Sequence, residues 1–226
     1  MVKTQAMNQS DSFPEIAKLR KKLLEWFKDN KRDYPWRNTE DPYKVLIAEL
    51  MLRRTKADQV KGVYEQFINE YPDPETLASA SKKKVEKMLY PLGLHWRTPA
   101  FQLVAKEIKK KYNSKVPEDR ESLKTLTGVG DYVAGAVLSG AYGKEEWIVD
   151  TNVARIFKRY FGLETIKESR RDKQIINLAR IYATGHKTKQ ANLALLDFAA
   201  LVCSALKPAC KSCFLNKCCE FYNRRN

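Results

Sequence analysis

All five cysteines of this chain lie beyond residue 202, and four of them, Cys203, Cys210, Cys213 and Cys219, are spaced C-x6-C-x2-C-x5-C. That crowding excludes a disulfide framework spread over the chain. Four thiolates converging from one short loop call for a soft metal centre. Zinc is the general default for four cysteines, and an iron–sulfur cubane takes four thiolates as well; spacing by itself leaves both open. Cys218 is left over. Lys207, Lys211, Lys217, Arg224 and Arg225 surround the loop, so it presents positive charge besides closing the fold.

The remainder reads as helices. Residues 14–30 carry Ile16, Leu19, Leu23, Leu24 and Phe27 on one stripe, with Pro14 as the opening residue. An aromatic and basic loop follows, Arg32-Asp33-Tyr34-Pro35-Trp36-Arg37. Residues 42–55 read as a helix whose apolar residues cover almost its whole circumference, which makes it central. Amphipathic helices are expected over 59–71, 82–89 and 98–112, with Gly93 able to cap a helix in the Pro91-Leu92-Gly93-Leu94 connection. Pro117 and Ser122 frame a short helix ending at Leu126. Further helices are expected after Asp150 and over 173–184 and 190–201. No stretch reads as a strand, an internal repeat or a long linker.

Between two of these helices lies Leu126-Thr127-Gly128-Val129-Gly130-Asp131-Tyr132. Gly128 and Gly130 allow backbone conformations that other residues resist, and the helix that opens after them exposes unpaired amides and the positive end of its dipole. Such a helix–hairpin–helix can hold a phosphate by main chain; a plain helix-joining turn is the ordinary alternative. Glu49 lies in the middle of the central helix, where a carboxylate is expensive to ionise unless paired. It is a candidate general acid, or else a glutamate satisfied by a neighbouring arginine or by backbone. Arg53-Arg54-Thr55 at that helix's end can address phosphates or a base. Asp150 falls where an N-cap belongs, beside a helix dipole that favours a carboxylate.

Lys and Arg number 42 against 27 acids, a formal charge of +15, which points first to a polyanion partner. No apolar run is long enough to cross a bilayer. Residues 1–12 are polar and lack a signal-peptide core, so an intracellular protein of the cytoplasm or nucleoid is expected.

Taken together, Gly128-Val129-Gly130 opening a helix, Asp150 some twenty residues on and the C-x6-C-x2-C-x5-C loop resemble the helix–hairpin–helix DNA glycosylases with a 4Fe–4S cluster. That branch contains endonuclease III, the adenine mismatch glycosylases and the thymine–guanine mismatch glycosylases. The resemblance runs from Tyr34 to Cys219 and implies an iron–sulfur cluster, not zinc, on Cys203, Cys210, Cys213 and Cys219. It implies an all-α fold of two helical domains with a DNA cleft between them: a helical barrel over 31–142, and a cluster domain of 1–30 plus 143–226. It places the catalytic aspartate at Asp150, and it puts Tyr132 where the bifunctional members carry a Schiff-base lysine. Without an amine there, attack should come from water, and strand cleavage should be weak or absent. Tyr132, Leu52-Arg53-Arg54-Thr55 and Asp33-Tyr34-Pro35-Trp36-Arg37 are similar to the thymine–guanine enzymes. Glu49 matches the glutamate that adenine glycosylases use on the leaving purine and keeps adenine excision as the alternative.

The resemblance further implies a monomer on double-stranded DNA containing a mismatch or lesion. Gly128, Val129 and Gly130 would grip the backbone, together with a monovalent cation at the hairpin. Arg155 and Lys207 would add affinity, and Arg53 or Arg54 would contact the orphan base. A catalytically silent DNA-binding module is the other reading.

Overall fold

The computed structural model describes residues 9–93, 95–166 and 168–225; Met1 to Asn8 of the polar tail, and Leu94, lie outside the described residues. Among the described residues the chain is all helical, with twelve α-helices, five short 3-10 turns and no strand. None of these helices is long and apolar enough to cross a membrane. The chain divides into two compact units. The central unit is Asp33–Lys144, and the terminal unit joins α1 to everything from Glu145 onward.

The central unit is built on α2 (Pro42–Leu52), which packs against α3 (Ala57–Glu70) and α8 (Asp131–Gly140). Every residue from Val45 to Met51 is buried, as its all-round apolar sequence demands. Its start is fixed by Pro42 at the first helical position and by Asp41, whose carboxylate accepts from the N–H groups of Tyr43 at 2.9 Å and Lys44 at 3.3 Å. A cap of this kind contributes about 1 kcal/mol. Round this axis lie α4 (Pro74–Ser79), α5 (Lys82–Leu89), α6 (Thr98–Tyr112) and α7 (Arg120–Lys124).

In the terminal unit α1 (Gln9–Asn30) packs on α10 (Lys173–Ala183) and α11 (Thr188–Leu201), while α9 (Thr151–Phe161) packs on α10, α11 and α12 (Glu220–Asn223). Arg32 ties the end of α1 to α11: its N–H and Nε donate to the fully buried Asp197 carboxylate at 2.9 and 2.6 Å. Trp26 of α1 packs edge-on against Phe198 and stacks on Phe214, with ring centroids 5.7 and 6.1 Å away. Those aromatic contacts hold the cysteine segment onto the helices.

Several expected boundaries move. Helix α1 begins at Gln9, not at Pro14, and carries the proline inside. Helix α2 stops at Leu52, and Arg53 to Thr55 form a turn instead of its last residues. Helices α3 and α11 start at Ala57 and Thr188, each two residues early, and α7 ends at Lys124 before Leu126. Helices α4 and α12 are too short to show a period. Gly93, at φ 68°, closes the 3-10 turn Tyr90–Leu92 and not an α-helix.

Candidate functional site

The hairpin between α7 and α8 is held from behind. The Glu107 carboxylate of α6 accepts from the Thr127 N–H at 2.6 Å and from its hydroxyl at 2.8 Å. The Val129 N–H donates to the Leu126 carbonyl at 3.0 Å and the Val129 side chain is buried, so the loop is closed and anchored before α8 begins. Gly128 needs to be glycine: its φ is 82°, and an added Cβ would stand 3.3 Å from both Leu50 and Arg53. Gly130 does not fit the expectation of a strained backbone. Its φ of −112° and ψ of −175° are open to any residue. A Cβ there would meet nothing within 4 Å, so the glycine leaves clear the approach to the α8 N-terminus, which no side chain caps. Asp131 is balanced by Lys124 at 3.2 Å and Arg120 at 3.6 Å. Tyr132, half-buried, packs against the core of the central unit.

The α2 terminus meets this hairpin. Glu49 is buried, with 9% of its surface exposed. Arg53 donates from Nη1 to the Gly128 carbonyl at 3.2 Å. Arg54 has φ 61°, rare for a residue with a Cβ, and is exposed. Beneath both lies Arg97, 7% exposed. Its Nη1 donates to the carbonyl oxygens of Leu50 (3.4 Å) and Arg53, and its Nη2 to the Thr55 hydroxyl at 3.2 Å. Burial, with the like charges of Arg53 and Arg54 beside it, pulls the Arg97 pKa below its usual value. The same 3-10 turn, His95–Arg97, exposes Trp96, and His95 stacks on the exposed Tyr90 with centroids 4.5 Å apart.

In the terminal unit Asp150 is the N-cap of α9, as its position predicts. Its Oδ1 accepts from the N–H groups of Asn152 and Val153 at 2.8 and 2.7 Å, and its Oδ2 accepts from Asn152 Nδ2 at 2.7 Å. The bonds continue: Asn152 Oδ1 accepts from Arg155 Nη1 at 2.9 Å, and Arg155 Nε donates to the Cys203 carbonyl at 3.0 Å. Arg155 Nη2 donates to the Ala199 carbonyl at 3.2 Å. Arg155, expected to address DNA phosphates, therefore directs its donors into the chain and joins the α9 cap to the cysteine segment. Lys207 is exposed beside Leu206, itself 94% exposed.

Cys203, Cys210, Cys213 and Cys219 line one cavity with the apolar side chains of Ile156, Phe198, Leu215 and Phe221. Cys218 does not line it. Arg159 Nη1 donates to the Cys203 sulfur at 3.5 Å and the Leu215 N–H to the Cys213 sulfur at 3.4 Å. Burial, and then the neighbouring thiols, push Cys213 up to about 11 and raise Cys219 as well. As thiolates these groups need a cation among them. Among the described residues no three Cys, His, Asp or Glu groups are drawn together as ligands of a single metal ion.

The hairpin, Glu49 and the arginine turn thus belong to one unit, and Asp150, Arg155 and the cysteines to the other. Sequence reasoning missed Glu107, Arg97 and Asn152. Glu107 and Arg97 act across the fold, over 20 and 44 residues. Asn152 had a local signal, since a side chain two residues after an N-cap aspartate lies within reach of it.

The profile of the HhH-GPD superfamily base excision DNA repair protein matches residues 47–180. A thymine-DNA glycosylase of Aeropyrum pernix is 40% identical over 213 residues, spanning 92% of this chain and 96% of that relative. A thymine/uracil-DNA glycosylase of Pyrobaculum aerophilum is 37% identical over 225 residues, spanning 96% and 98%. The solved structure of a thermostable thymine-DNA glycosylase superposes with a TM-score of 0.87 at 33% identity, covering 93% of this chain and 98% of that one.

Proposed function

We propose that this chain, which belongs to the HhH-GPD superfamily of base excision DNA repair proteins, is a DNA glycosylase that hydrolytically removes thymine or uracil paired with guanine. It acts as an intracellular monomer on mismatched double-stranded DNA, without strong lyase activity. The observation that carries the hydrolytic assignment is the start of α8, where Tyr132 follows the hairpin and no lysine occurs between Asp131 and Gly140. The similarity to thymine- and uracil-DNA glycosylases supports the choice of base.

In this reading the open α8 N-terminus at Gly130 receives a backbone phosphate, with Gly128 and Val129 shaping its approach. Of the carbonyls available to a monovalent cation at the hairpin, that of Gly128 already accepts from Arg53. Exposed cations such as Lys207 add affinity that falls with salt. The mispaired nucleotide is rotated out of the duplex, which requires less energy than opening a matched pair. As the C1′–N1 bond breaks, its electron pair leaves with the base and positive charge grows on the sugar. Asp150 stabilises that charge. Water adds to C1′ and loses a proton, leaving an abasic sugar. Glu49 orients the water or protonates the departing base, and Tyr132 bounds the base by stacking. With no amine at 132 there is no Schiff base, so the strand stays intact. Both Arg53 and Arg54 are exposed, but Arg53 is engaged with the hairpin, so Arg54 is assigned to the orphan guanine, whose O6 and N7 suit a guanidinium fork.

Four thiols round a shared apolar cavity, two of them accepting N–H···S bonds, fit a 4Fe–4S cluster. A zinc ion would need all four sulfurs about 2.3 Å from one point. Cys203, Cys210, Cys213 and Cys219 would hold the cluster, and their bonds to it would fix the basic loop in place.

Adenine excision is the second reading, favoured by buried Glu49. A panel of duplexes with one variable pair, scored for abasic sites with alkali, tests the proposal. Abasic sites at G·T and G·U but not at G·A are expected; sites at G·A alone would transfer the assignment to adenine. Asp150→Asn should abolish release; unchanged release would remove Asp150 from the mechanism, and no release by the parent protein would favour a silent DNA-binding module.

A further inference from the structure

We infer that Arg97 is a positioning residue, a buried latch that holds the Arg53–Thr55 turn in the one conformation that presents Arg54 to the partner strand. The inference rests on the assignment of Arg54 to the orphan guanine. Three observations carry it. Arg97 reaches the turn from beneath at two places, the Arg53 carbonyl and the Thr55 hydroxyl, and bonds to the Leu50 carbonyl in the last turn of α2 as well. Arg54 has a left-handed backbone that a residue with a Cβ adopts only when its surroundings impose it. Arg97 meanwhile makes no ion pair among the described residues, its Nε is buried without a hydrogen-bond partner, and its charged neighbours are Arg53 and Arg54.

A cation buried among cations is poor design for stability alone. It suits a site whose counter-charge arrives with the ligand, here the polyanionic strand. The planar fork is what the geometry requires, since one ammonium cannot span these acceptors with fixed directions. Arg97 also lies on the turn that exposes Trp96, while the Thr55 hydroxyl donates to the Leu92 carbonyl at 3.4 Å. The latch therefore fixes Arg54 and an exposed aromatic ring on one scaffold within the central unit. Trp96 is 68% exposed, a large ring able to fill the gap left by a displaced base.

The test uses full-length protein with Arg97→Met, which keeps the volume and removes the fork, beside Arg54→Ala. Limited trypsinolysis of the DNA-free proteins reads the latch directly. Cutting after Arg53 or Arg54 should be at least about tenfold faster in Arg97→Met than in the parent, the mark of a turn that opens locally. Equal cutting overturns the latch whatever the enzyme reads. Single-turnover excision of uracil from G·U, A·U and single-stranded DNA then reads its purpose. Arg97→Met and Arg54→Ala should each lower the preference for G·U over single-stranded DNA about tenfold, the worth of one bidentate base contact. A parallel fall on all three substrates would make Arg97 a fold residue and overturn its positioning role. A parent without preference for G·U would overturn the guanine reading of Arg54, with the latch itself still decided by the protease.

Discussion

Glu107→Ala separates two physical effects that point in opposite directions. The carboxylate accepts two bonds from Thr127, at 2.6 and 2.8 Å, and these anchor the hairpin entry. Hydrogen bonds to a charged group contribute about 1.5–3 kcal/mol each. Both residues are only half-buried, and water can take over part of what is lost, so about 2 kcal/mol for the pair is a fair sum. Removing a negative charge near a bound phosphate works the other way. At ~8 Å in a water-like dielectric that repulsion is only about 0.5 kcal/mol. Loosening wins by about 1.5 kcal/mol, and where it lowers the fraction of protein with a formed hairpin, affinity should fall by up to about tenfold. Glu107→Gln retains a carbonyl for the Thr127 N–H and an amide for its hydroxyl, and should lie between parent and alanine variant. The assay is fluorescence anisotropy on a G·U duplex under conditions too brief for turnover, at three salt concentrations, with thermal melts alongside. Unchanged or tighter binding by Glu107→Ala would refute the idea that a pinned hairpin grips the phosphate.

The two hairpin glycines should respond differently. Gly128→Ala meets a φ of 82° and contacts at 3.3 Å and should lower stability by about 1–2 kcal/mol in a denaturant melt, whereas Gly130→Ala should melt like the parent yet bind DNA worse, because its Cβ enters the space kept for the phosphate. Asn152→Ala removes a donor to Asp150 and the link to Arg155; single-turnover excision should slow about tenfold at unchanged affinity, and an unaltered rate would show that the bonded chain from Asp150 to Cys203 has no part in the chemistry. Cys213→Ser should lose the iron–sulfur absorbance near the visible edge and Cys218→Ser should keep it; the reverse result would reassign the ligands.

The fold class was legible because each long helix carries its own periodicity: α5 and α6 have the boundaries their sequences predict, and α2 is buried all round as its composition requires. The Asp150 cap was legible because it follows from local position, at a helix start. What escaped depends on pairs far apart in sequence. Nothing around Glu107 announces a partner at Thr127, and Arg97 looks like a surface arginine until α2 is seen to end above it. Arg155 makes bonds that nothing in its sequence context announced. An arginine in a basic sequence suggests phosphate, yet its first turn of helix brings it within reach of Asn152 and the Cys203 carbonyl. Gly130 misled because glycine has two uses, and here the use is room and not a positive φ.

The central claim is hydrolysis of a pyrimidine opposite guanine by a protein with Tyr132 where an amine would act. A G·U duplex labelled on the uracil strand is incubated with enzyme in two arms, one without reductant and resolved with and without alkali, the other with sodium borohydride to trap any Schiff base. Full-length strand until alkali is added and complete scission afterwards are expected in the first arm, and no trapped protein–DNA adduct in the second. Strand breaks before alkali, or a borohydride-stable adduct, would contradict that claim.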